Sequence, residues 1–303
     1  MNPTLARERQ TGILLVSAAG VCWGFHGVLI KFAYQLGASF MEVLLAETAV
    51  ATLAYLIMAS RASSLLSLPK ELTDWIWLTI AGIASIGVGS FLFLSFSLGP
   101  VAIGATLLFL YLPQVYLHTI LVAKQPANWL GIASIVLLLI GAGITTDAIN
   151  VFSGNVSSAP ILAGAAASVC YAAIFILTPK LSVASSATFN SLFLAASSAI
   201  GSLIILAVVP ATRSEASINL IQFAAIAFVL GIIGQMLPVL AMMKGIPLAG
   251  SSLSGVLASI ELPVAVVSSA LLLGESVTPG RAIGVALVFL GIIFFNLSNR
   301  TET

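Results

Sequence analysis

The chain has 303 residues, 60% hydrophobic and only 7% charged, with a mean hydropathy of +1.16. So few polar groups cannot surface a soluble domain, and a formal net charge of +1 argues against nucleic acid or an acidic-substrate sink. Apolar residues run together in blocks about 20 long, the span of a bilayer-crossing helix, and not in the short alternating strands of a barrel. The expected fold class is an all-α integral membrane protein.

Pro, Gly and charged residues cut the sequence into ten expected transmembrane helices: 11–33, 40–60, 75–97, 101–122, 127–146, 158–178, 188–209, 219–242, 247–273 and 279–297. Arg7 and Arg9 precede the first, which lacks a small-residue cleavage site and reads as a retained helix. It carries Cys22, Trp23 and His26 and ends near Lys31, read as a snorkelling anchor. The second bears Glu47, and the third Gly82, Gly87 and Gly89. The fourth holds Tyr111, Pro113, Tyr116 and His118, and the fifth Gly141 and Gly143. Cys170 and Tyr171 fall in the sixth, Asn190 in the seventh, Gln235 in the eighth, and Glu261 with Pro263 in the ninth. The glycines, with Gly20-x-x-x-Gly24, are expected to let helices approach closely. Cys22 and Cys170 read as buried packing, with no disulfide framework, metal site or other cofactor implied. Asn155-Val156-Ser157 is a glycosylation triplet in an expected outer loop, and no phosphate loop is present.

With a cytoplasmic N-terminus, Arg7, Arg9, Arg61, Lys70, Lys124, Lys180, Lys244 and Arg300 fall on that side, against Lys31, Arg213 and Arg281. Eight cations against three follow the positive-inside rule. An even number of spans then puts both termini in the cytoplasm, with a bacterial inner membrane as the expected location.

The segment Ala18-Ala19-Gly20-Val21-Cys22-Trp23 recurs as Ala166-Ala167-Ser168-Val169-Cys170-Tyr171, 148 residues on. Leu112-Pro113 is followed eleven residues after the proline by Lys124-Gln125, and Leu262-Pro263 at the same interval by Gly274-Glu275. Residues 1–150 and 151–303 thus read as two repeats of five spans each. An odd number of spans makes the halves inverted, an arrangement common among secondary transporters.

The stretch Leu271-Leu272-Leu273-Gly274-Glu275-Ser276-Val277-Thr278, followed by Gly280, Gly284 and Gly291, resembles the end of the second repeat in EamA-type transporters of the drug/metabolite transporter superfamily. Glu261-Leu262-Pro263 resembles that family's acidic-x-Pro pattern, and Cys22-Trp23-Gly24 its first-helix pattern. The resemblance spans the whole chain and implies the ten-helix transporter fold, with exporters of amino acids, other metabolites and drugs as relatives. The chain departs from it twice. Lys124-Gln125 stands where many members carry Gly-Glu, and Glu47 where the second helix often carries Arg. The charge reversal favours a cation, an amine or a proton there.

Carboxylates within a bilayer are costly and mark binding or transport, so Glu47 and Glu261 lead the candidates for substrate or proton binding. Pro263, just after Glu261, removes an N–H and opens the preceding turn; Pro113 is its counterpart, and both read as helix bends. His26 and His118 titrate near neutrality and are candidate proton relays. Trp23, Tyr111, Tyr116 and Tyr171 are candidate aromatic walls, and Gln235 and Asn190 polar contacts.

The expected function is a secondary active transporter moving a small amphipathic metabolite, an amino acid, amine or related compound, out of the cytoplasm with proton coupling. Alternating access would turn on a central cavity enclosed by the first four helices of each half, in a chain able to work as a monomer. Alternatives are an uptake carrier or exchanger for nucleoside-like or S-adenosylmethionine-like substrates without proton coupling, and a non-transporting scaffold. An intramembrane enzyme is a remote alternative, because neither a His-Glu-x-x-His nor a Gly-x-Ser-x-Gly pattern occurs.

Overall fold

The computed structural model describes residues 3–61, 67–99, 101–148, 152, 157–209, 212–214 and 218–298. Arg300, Asn155 and Val156 lie outside them. The described elements are helical: α1 (Pro3–Gln35), α2 (Phe40–Arg61), α3 (Leu72–Leu98), α4 (Val101–Leu108), α5 (Tyr111–Leu121), α6 (Trp129–Thr145) and α7 (Ser158–Ala184) in the first stretch. Then follow α8 (Ala187–Val208), α9 (Leu220–Val229), a π-helical segment (Leu230–Met236), α10 (Leu237–Ala249), α11 (Ser251–Ala258), α12 (Glu261–Leu273) and α13 (Pro279–Ser298). Among the described residues, nine helical stretches are long and apolar enough to cross a bilayer, and α6 is a shorter apolar helix. The protein is an all-α integral membrane protein.

Two spans are broken in the same way. Pro113 and Pro263 are the third residues of α5 and α12, and each ring clashes with the carbonyl four residues back, on Phe109 and Ser259. Those carbonyls accept the N–H groups of Leu112 and Leu262 at 3.0 and 3.1 Å, tightening the chain for one turn between the half-helices.

The eighth span differs from expectation. The apolar pattern predicts a plain helix over 219–242; the chain instead widens into the π segment and continues to Ala249. Pro238 cannot bond the carbonyl of Gly234, which accepts the Trp23 indole N–H at 2.9 Å instead. The Met236 carbonyl takes the Tyr55 hydroxyl at 2.6 Å. The ninth span begins at Ser251, not 247: Gly250, at φ +87°, is the single residue joining α10 to α11.

Packing follows small residues. α6 lies against α13, where a Cβ on Gly141 would meet the Gly284 carbonyl oxygen at 2.8 Å and one on Gly291 the Ser134 carbonyl oxygen at 3.0 Å. α1 crosses α11 and α12 with Gly20 and Gly24 against the Ala258 and Glu261 carbonyl oxygens, at 2.8 and 2.9 Å from an added Cβ. Two expectations need correcting. Gly143 makes no close approach, since an added Cβ would find nothing within 4 Å. Cys22 and Cys170 are half-buried, and Cys170 fills the space above Gly87.

Candidate transport site

Trp23 and His26, three residues apart on α1, share one helix face. His26 Nε2 lies 2.6 Å from Oε2 of Glu47, whose side chain on α2 is only 3% exposed. Gly234 gives the imidazole its place: a Cβ there would meet His26 Cδ2 at 2.5 Å. A carboxylate removed from water needs such a partner, and the pair can hold a proton between its two groups.

Trp23, His26, Glu47, Tyr171, Gln235 and Glu261 open onto one cavity of about 330 Å³. Its walls are mostly apolar, with Leu92, Phe93 and Phe96 of α3 and Met242 of α10 among them. Lining residues come from the first four spans of each half; α6 and α13 supply none and pack on each other.

Glu261 is the first residue of α12, at the break ahead of Pro263. Unlike Glu47, it has no hydrogen bond or ion pair among the described residues, though it acts electrostatically on His26, Tyr111 and Tyr171. An aromatic cluster lies beside it. Tyr111 stacks on Phe175 with ring centroids 5.1 Å apart, meets Tyr171 edge-on at 4.6 Å, and donates its hydroxyl to the Gly255 carbonyl at 2.7 Å. Trp23 reaches Tyr171 edge-on at 6.1 Å.

Some candidates lie elsewhere. Asn190, the fourth residue of α8, is not mid-span: Ser185 donates to its Oδ1 at 2.5 Å and its Nδ2 donates to the Leu181 carbonyl at 3.2 Å, which clamps the turn between α7 and α8. His118 sits in the last turn of α5, outside the cavity lining. Tyr111 is 1% exposed and lies behind Tyr171. Tyr116 donates to the Asn128 carbonyl at 3.1 Å, away from the cavity. Lys31 is not a lone snorkelling anchor, because it forms an ion pair with Glu275.

Glu275 also takes Arg281 Nη1 at 3.3 Å, and with Asp147 these groups line a separate cleft of about 880 Å³ at the helix ends. The Lys31 hydrogen bond, joined by Arg281, holds the Glu275 carboxyl below the usual carboxylate range despite partial burial. Sequence reasoning missed this cluster, although Lys31 and Glu275 both fall on the expected outer side. It also missed Ser85 and Ser198, whose hydroxyls meet at 2.8 Å in the cavity wall.

Residues 158–297 match the model of the EamA-like transporter family. This half belongs to that family. At that level the protein is a membrane transporter of the drug/metabolite transporter superfamily. A solved crystal structure overlays 97% of this chain and 100% of its own, with a TM-score of 0.80 and 18% sequence identity. At that identity the likeness establishes the fold. No curated protein matches the sequence.

Proposed function

We propose that this protein is a secondary active transporter that exports a small amphipathic metabolite, an amino acid, amine or related compound, in exchange for protons. The observation that carries the reading is the convergence of Glu47, paired with His26, and of Glu261 on one largely apolar cavity built from both halves. Midplane acids in such a cavity suit alternate loading by proton and cargo.

The chain is read as two inverted repeats, 1–150 and 151–303, rocking about the cavity. Contacts that survive exchange of the halves support this. Gly141 meets Gly284 while Gly291 meets Ser134, and the Phe109–Leu112 turn has its counterpart in Ser259–Leu262. One chain encloses the cavity, which supports a monomeric unit, and the cation distribution supports cytoplasmic termini in a bacterial inner membrane.

The test is flux of a labelled panel of amino acids and amines into liposomes holding the purified protein, with and without an imposed pH gradient. Glu47→Gln is expected to abolish the response to the gradient, and Glu261→Gln to lower flux at every pH. If both variants keep wild-type rate and pH dependence, the reading is wrong.

A further inference from the structure

The cavity's charge inventory is lopsided. Its described lining holds two carboxylates, Glu47 and Glu261, and one imidazole, while no Lys or Arg lines it. His26 is hydrogen-bonded to Glu47, so among the described residues the lining presents one acid without a hydrogen bond or ion pair, Glu261, and no Lys or Arg. Around it stand aromatic faces, Trp23 and Tyr171 on one side and Phe93 and Phe96 in the wall.

We infer that the cargo is a monocationic amine with an apolar body and no carboxylate, its ammonium set against Glu261 and its body among the phenylalanines. The inference rests on the transporter reading and narrows it. An ammonium at Glu261 offsets the buried charge there and can lie over a ring face of Trp23 or Tyr171. A zwitterionic amino acid would bring a second carboxylate into the same space, where no cation answers it, so its desolvation goes uncompensated. A cavity of about 330 Å³ stands at the small end of ligand sites. It suits one ring and a short amine arm.

The experiment compares three labelled compounds that share a phenyl ring: 2-phenylethylamine, phenylalanine and 3-phenylpropionate. Counterflow is measured at pH 6 in liposomes carrying the full chain, with protein-free vesicles subtracted for leak. The amine is expected to move at least about tenfold faster than phenylalanine, and phenylpropionate not at all. Glu261→Gln should remove the amine flux, whereas Glu261→Asp, which keeps the charge, should retain part of it. Phenylalanine moving as fast as the amine, or amine flux untouched in Glu261→Gln, overturns the inference and leaves a transporter of another substrate class. If none of the three moves, the amine assignment falls; the wider panel above then judges the transporter reading separately. Thermal stabilisation of the detergent-purified wild type by the amine, and not by phenylalanine, is expected in parallel and does not depend on any variant folding.

Discussion

Tyr111 and Glu261 occupy the same place on two copies of one backbone device: each is the first residue of a half-helix, each is followed by Leu-Pro, and each sits just past a tightened turn. Their surroundings separate them. Tyr111 is 1% exposed, stacked on Phe175 and hydrogen-bonded to Gly255, whereas Glu261 lines the cavity with no hydrogen bond or ion pair among the described residues. The device itself is indifferent to chemistry. One copy is filled by a buried ring and the other carries a carboxyl onto the cavity because different side chains stand at the break.

The largest way to break this comparison is to move the charge. Tyr111→Glu places an unpaired carboxylate among rings, beside the Gly255 carbonyl and within reach of the Glu261 carboxyl, and is expected to cost several kcal/mol, with little folded protein on size-exclusion chromatography. Glu261→Tyr should fold, lose transport, and keep a melting temperature near that of the wild type. A folded, stable Tyr111→Glu protein would mean that water reaches this position.

The next test uses the turns that close the two half-helices. Lys124 at φ +55° and Gly274 at φ +67° each follow their proline by eleven residues, and only the glycine adopts that conformation without strain. Lys124→Gly is therefore expected to raise stability by about 0.5–1 kcal/mol once the looser unfolded chain is counted. Gly274→Lys should lower it. Equal and opposite melting shifts in detergent would sharpen the equivalence, and a destabilised Lys124→Gly would argue against it.

The smallest effect lies beside that turn, where Glu275 has a charge partner and Gln125 is neutral. A carboxyl held below its usual range by Lys31 and Arg281 stabilises the fold at neutral pH, and that contribution fades as acid protonates it. Glu275→Gln is expected to melt slightly lower than the wild type at pH 7, with the two curves converging below the ordinary carboxylate range. A gap that stays constant into acid would assign the loss to shape and not to charge.

The membrane class and the rough position of each helix were legible because long apolar runs and cation placement are local signals. The acids and aromatics that meet in the cavity were legible as types, since a charge inside an apolar run needs a reason. What stayed hidden depends on partners far apart in sequence. Lys31 and Glu275 are 244 positions apart, and Ser85 and Ser198 are 113 apart. The π segment left no trace in the apolar pattern, although Pro238 was a sign that the Gly234 carbonyl needed another donor. Asn190 misled because a polar residue in an apolar run looks functional, when its task is to satisfy the nearby turn.

Gly250 joins α10 to α11 with nothing to spare, and consecutive Cα atoms cannot be more than about 3.8 Å apart. The π segment that runs into α10 carries the carbonyls that hold Trp23 and Tyr55, and α11 carries the one that holds Tyr111. α10 therefore cannot slide along its axis without pulling α11 after it. One residue at a helix junction works as a drawbar, tying the helix that lines the cavity's wall to the helix that anchors Tyr111 behind it.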